Sequence, residues 1–162
     1  GEVIHPQDDA LKREVELRGG RALVPTTAPP EMRDSIAFGL RQVARELEAH
    51  GESADPDSPW LLIPADHPVV MPQTVSVLLD AAMRNPGRIV VPTHGGRRGH
   101  PTVFRWKHAL QIDHVPTGQG FNWILKGEAA DVVEVAVATP SVLIDLDTPD
   151  DYERLRETWE SC

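Results

Sequence analysis

Apolar positions along this chain alternate between a helical period and short dense runs. Ile36, Leu40, Val43 and Leu47 recur at helical spacing and predict a helix over about Glu31 to Ala49. Val75, Leu78, Leu79 and Ala82 do the same over Pro72 to Asn85, with Pro72 suited to a first turn. A shorter helix is predicted over Asp9 to Arg18, and a last one over Thr148 to Glu160, with Tyr152, Leu155 and Trp159 on one face. Between these lie runs too short for helices. Val3-Ile4, Arg21 to Pro25, Trp60 to Ile63, Ile89 to Val91, Thr102 to Phe104, Val132 to Val137 and Val142 to Leu146 read as strands. Helical pieces are expected near Trp106 to Ile112 and Phe121 to Lys126, and a loop over Thr93 to Gly99. Strands alternating with helices predict an α/β fold with a mostly parallel sheet.

The densest run, Trp60-Leu61-Leu62-Ile63, reads as a strand buried on both faces. It stops at Pro64, and Asp66 follows at once. A carboxylate just past the carboxyl end of a strand stands where open α/β sheets place their ligands. Pro68 restricts the backbone of His67, so the loop is stiff. Such a loop suits a pre-positioned metal ligand, although Asp is also an ordinary turn residue. Leu143 to Tyr152, LIDLDTPDDY, holds a second candidate. Thr148 is a good N-cap, Pro149 a good first helical residue, and Asp150 and Asp151 complement the positive helix end. Asp147 is not consumed by that explanation and shares strand parity with Asp145. Asp66 and Asp147 can therefore converge on one sheet edge, and two carboxylates with substrate phosphates are a common way to hold Mg²⁺.

The 162 residues suffice for a single domain with a real core. Hydrophobic residues at 40 % and charged residues at 25 % are ordinary for a soluble globular protein. The net charge of −9 argues against nucleic acid as a partner. It does not exclude a nucleotide bridged by a divalent cation. No apolar run predicts a membrane span or signal peptide. The single cysteine, Cys162, makes a reducing cytoplasmic setting the default. No histidine pair has HExxH spacing, and a structural zinc site is not expected.

Four motifs in order carry a family resemblance. They are Met32-x-x-Ser35-Ile36-x-x-Gly39-Leu40, Leu62-Ile63-Pro64-Ala65-Asp66-His67-Pro68, Arg98-Gly99-His100-Pro101-Thr102-Val103-Phe104 and Asp145-Leu146-Asp147-Thr148-Pro149-Asp150-Asp151-Tyr152. Together they resemble the MobA-like molybdenum-cofactor nucleotidyltransferases, in particular the MocA-type cytidylyl- and related transferases. The resemblance implies a three-layer Rossmann-like nucleotidyltransferase domain. It implies transfer of CMP or GMP from CTP or GTP to a phosphorylated acceptor of the molybdopterin type, with Mg²⁺ and release of pyrophosphate. Asp66 and Asp147 become the catalytic Mg²⁺ ligands, and Met32 and Ser35 nucleotide contacts. His67, Arg98, Gly99, His100 and Pro101 become acceptor-side residues. A molybdoenzyme or chaperone that receives the cofactor would be the protein partner. One departure matters. The family opens with a first strand and a loop of the form LAAGxSxRMGxxK, and neither stands here, so the domain is expected to be N-terminally truncated, beginning at the family's second strand.

Two alternatives stay open on the residues. Asp145-Leu146-Asp147 has the look of the DxD metal motif of glycosyltransferases with the GT-A fold. A truncated domain that binds nucleotide without catalysis is the other.

Overall fold

The computed structural model describes residues 1–160. In chain order the elements are β1 (Glu2–Val3), α1 (Asp9–Leu17), β2 (Ala22–Leu23), α2 (Met32–Ala49), β3 (Pro59–Leu62) and α3 (Pro72–Arg84). They continue with β4 (Ile89–His94), β5 (Arg97–Arg98), β6 (Thr102–Arg105), α4 (Trp106–Ala109), α5 (Asn122–Gly127), β7 (Val132–Ala136) and α6 (Pro149–Glu160). The class is α/β, as expected. The contacts divide the chain into two compact units, residues 1–58 with 106–128, and residues 59–105 with the chain from Ala129 onward.

In the first unit β1 and β2 pair in parallel, with Val3 opposite Leu23. α2 packs on β1 and on the 3-10 turn Ile112–His114. Its buried positions are Ala37 and Leu40, on the face the sequence period marks. Arg33, in the first turn of α2, donates from Nη1 to the carbonyl of Val115 at 2.6 Å.

The second unit is built on one five-stranded sheet. Its order is β3-β6-β4-β5, with β7 also paired to β4. β3–β6, β4–β6 and β4–β5 are antiparallel, and β4–β7 is parallel. The sheet is thus mixed where a mostly parallel one is expected, because β4, β5 and β6 follow one another through tight turns rather than crossover helices. The residues read as a Thr93–Gly99 loop instead extend β4 to His94 and form a hairpin. Its turn, Gly95-Gly96, has φ of 58° and 76°, the pair of positive values that a two-residue hairpin turn requires. Leu78, Ala81 and Ala82 of α3 pack on Val90 and Val103, with Leu61, Val133 and Val135 around them.

β3 differs from its reading as a strand buried on both faces. It stands at the end of the sheet order, and Trp60, Leu61 and Leu62 are only half-buried, with Ile63 exposed. Trp60 stacks on Phe104 with ring centroids 5.2 Å apart and donates from Nε1 to the carbonyl of Arg105. Arg105 itself is buried. Its Nε donates to the carbonyl of Arg88 at 2.9 Å, and its Nη2 to those of Ala82 at 2.5 Å and Asn85 at 2.8 Å. A guanidinium thereby caps the carboxyl end of α3, where carbonyls lack helical partners and the dipole favours a cation.

The strand expected over Val142 to Leu146 does not form. Pro140–Leu143 is a 3-10 turn instead, started by Thr139, whose hydroxyl accepts from the Ser141 amide. A Thr-Pro-Ser sequence favours such a side-chain-nucleated turn over a strand. After it, Thr148 caps α6 reciprocally. Thr148 Oγ1 accepts from the Asp151 amide at 3.3 Å, and the Thr148 amide donates to Asp151 Oδ2 at 2.8 Å. Hydrogen bonds from the Thr148 hydroxyl first, then from Arg154, hold the Asp151 carboxyl below its ordinary value. The Trp159 side chain, expected on one face of α6 with Tyr152 and Leu155, lies outside the described residues.

Candidate active site

The site lies in the second unit, where three loops meet. The first follows β3. Proline at 64 and 68 brackets it, and the His67 amide donates to the Pro64 carbonyl at 3.1 Å, closing a turn that presents Asp66. The second is the Arg98–Pro101 stretch between β5 and β6. The third runs from the 3-10 turn through Asp145 and Asp147 to α6. Two backbone hydrogen bonds lace them together. The Leu146 amide donates to the Asp66 carbonyl and the His100 amide to the Val142 carbonyl, each at 2.8 Å. The first of these bonds brings Leu146, the residue preceding Asp147, against Asp66. Asp145 and Asp147 are exposed on either side of half-buried Leu146.

Gly99 is what lets the second and third loops close. Its amide donates to Pro92, and a Cβ at this position would stand 2.1 Å from the Val142 carbonyl oxygen and 2.7 Å from the carbonyl carbon. Backbone cannot yield as a side-chain tip does. Gly99→Ala is therefore expected to cost about 1–3 kcal/mol, the range for overpacking a close-packed site. Urea unfolding of the two forms measures it, and a difference below about 0.5 kcal/mol would show that the loops separate freely.

Within this frame the rings of His67 and His100 stand 4.5 Å apart, tilted by 59°. His67 Nε2 lies 4.0 Å from Asp66 Oδ1, beyond hydrogen-bond range. Burial, reinforced by His67 and opposed by Asp66, pushes the His100 imidazole down to about 4. At neutral pH His100 is uncharged, with one nitrogen able to donate and the other to accept. Asp66 Oδ1, His67 Nδ1, His100 Nδ1 and Ser141 Oγ are each buried with no hydrogen-bond partner in the protein. An unpartnered carboxylate oxygen is costly unless something external meets it, and a cation does so directly. The donor set fits a divalent ion. Among the described residues no three His, Cys, Asp or Glu side chains gather to hold a metal by themselves. The remaining ligands would come from substrate and water, the habit of Mg²⁺ sites.

The other expected site residues stand as follows. Pro101 is buried beside His100. Arg98 is exposed and donates to Glu134 from Nε at 2.8 Å and Nη2 at 2.7 Å, so an acceptor phosphate would compete with that carboxylate for it. Met32 and Ser35 belong to the first unit, on the opening turns of α2, Met32 exposed and Ser35 half-buried. Sequence reasoning passed over the Val142 carbonyl and the Ser141 hydroxyl, for which the Thr139-Pro140 turn signal was the available clue.

Residues 3–132 match the MobA-like NTP transferase domain. The chain belongs to that family. It is a nucleotidyltransferase, which displaces the glycosyltransferase reading of Asp145-Leu146-Asp147. A phosphoenolpyruvate guanylyltransferase of Rubrobacter xylanophilus is 30 % identical over 152 residues, covering 86 % of this chain and 73 % of that protein. Two solved structures share the fold. The Mycobacterium tuberculosis H37Rv protein Rv0371c, crystallised in complex with manganese, is 23 % identical with a TM-score of 0.69, over 96 % of this chain and 76 % of that one. Molybdopterin-guanine dinucleotide biosynthesis protein A of Archaeoglobus fulgidus is 14 % identical with a TM-score of 0.62, over 99 % and 79 %. Among the described residues of this family member no helix is long and apolar enough to cross a membrane.

Proposed function

We propose that the enzyme transfers GMP or CMP from the nucleoside triphosphate to a phosphorylated small molecule, with Asp66 and Asp147 as ligands of Mg²⁺. The observation that carries this is Asp66 Oδ1, buried without a protein partner on a loop bonded to Leu146, the residue before Asp147. An oxygen of the acceptor phosphate attacks the α-phosphorus, and pyrophosphate leaves. Such chemistry asks for positioning and charge neutralisation rather than covalent help. Bound Mg²⁺ would supply the neutralising charge between the triphosphate and the acceptor. The protein's part is to hold Asp66 rigidly and keep His100 uncharged toward the acceptor side. No general base is needed, because a phosphate acceptor is already ionised.

Two acceptors are supported by different observations. A molybdopterin-type cofactor, delivered onward to a molybdoenzyme or chaperone, follows from the motif set. The Rubrobacter relative favours GTP as donor and phosphoenolpyruvate as acceptor. Pyrophosphate release is the test, with GTP and CTP each offered to phosphoenolpyruvate and to molybdopterin, with Mg²⁺ and with chelator. Release that requires cation and a phosphorylated acceptor is expected. Release without any acceptor, or undiminished by chelator, would overturn the reading.

A further inference from the structure

The reading above leaves His67 as a substrate contact, but its position relative to Asp66 has a sharper meaning. The Nε2–Oδ1 separation of 4.0 Å is too long for a hydrogen bond and suits two ligands flanking one ion. Ligands about 2.1 Å from a tetrahedral centre stand about 3.4 Å apart, and those on opposite sides of an octahedral centre about 4.2 Å apart. The observed value falls between them. The ring is also pre-positioned. The Pro64–His67 turn and Pro68 set its backbone, its side chain is largely buried, and the His100 ring packs against it at 4.5 Å. An anion could use the imidazoles as donors but would meet the Asp66 carboxylate. A cation is welcomed by both residues, through lone pairs.

The geometry points to His67 as a nitrogen ligand that joins Asp66 on the cation and sets its identity. This rests on the reading of Asp66 as a cation ligand. Mg²⁺ takes oxygen donors almost exclusively, whereas imidazole suits the borderline transition ions. A carboxylate and an imidazole side by side therefore favour an ion such as Co²⁺ over Mg²⁺, with substrate oxygens and water filling the remaining positions.

The test uses Co²⁺ alone and Mg²⁺ alone, without nucleotide, on the wild-type enzyme and on His67→Gln and Asp66→Asn. Calorimetry gives affinities, the visible absorption of bound Co²⁺ reports its ligands, and circular dichroism verifies folding. Wild type is expected to bind Co²⁺ at least about tenfold more tightly than Mg²⁺. His67→Gln should lose about tenfold or more in Co²⁺ affinity and shift the Co²⁺ band to longer wavelength, leaving Mg²⁺ affinity within about twofold. Unchanged Co²⁺ affinity and spectrum in His67→Gln, with both lost in Asp66→Asn, would overturn the inference and leave Asp66 as the cation ligand. Co²⁺ binding that survives Asp66→Asn would overturn both.

Discussion

Asp66→Asn is expected to reduce nucleotidyl transfer by about 10²–10³ while the protein stays folded, the loss typical of one contact to developing transition-state charge. Asn retains the size and turn preference of Asp, so the Pro64–His67 turn and the bond from the Leu146 amide to the residue-66 carbonyl should persist. It lacks the negative charge that a hard cation needs from its few protein ligands. It also removes the negative charge from a side chain whose buried oxygen has no partner within the protein. The melting temperature without metal should therefore stay level or rise slightly. Pyrophosphate release and a thermal melt on the same preparations measure both halves. Activity retained within about threefold would move the cation to Asp145 and Asp147.

Arg105→Met should have the largest effect on stability, a loss of about 3–4 kcal/mol. The methionine keeps the apolar length of the side chain but withdraws the donors that meet the carbonyls of Ala82, Asn85 and Arg88. Hydrogen bonds from a charged group contribute about 1.5–3 kcal/mol each, and an acceptor left buried without a donor costs about 1–3 kcal/mol. The terms share one guanidinium and do not add fully. Arg105→Lys should recover only part of the loss, since one ammonium cannot reproduce the planar fork of donors. Urea unfolding decides the matter. A loss below about 1 kcal/mol for Arg105→Met would show that the end of α3 finds other donors.

Much of this arrangement could be read from the chain alone, and the exceptions have identifiable causes. α2 and α3 were legible because a helical period is a local property that survives packing. Asp66 was legible because a carboxylate after an apolar run and before a proline is unusual in one short stretch. Arg105 was not singled out, because the Thr102–Phe104 reading stopped one residue short. The structure buries all four residues of β6, the arginine included. The direction of β4, β5 and β6 depended on a Gly-Gly turn that reads equally well as a loose loop. Trp60 to Ile63 read as buried on both faces because apolar density reports what a strand could bury. What covers each face is decided elsewhere in the chain. The approach of His67 to His100, and of Leu146 to Asp66, is set wholly by tertiary structure, and no periodicity encodes it.

The two backbone bonds that lace the candidate site have a consequence for how the molecule comes into being. They join Asp66 to Leu146 and His100 to Val142, residues far apart along the chain. Loop-closure entropy must be overcome before such contacts stabilise anything. During synthesis, Asp66, His67 and His100 leave the ribosome well before the segment that fixes them. The helices and the β4–β5 hairpin can form from local contacts, but the reactive corner must wait for the segment from Val142 to Leu146. A nascent chain halted before Val142 would carry Asp66, the proposed cation ligand, on an unanchored loop. Nucleotide chemistry would thus be withheld until that later segment has been made.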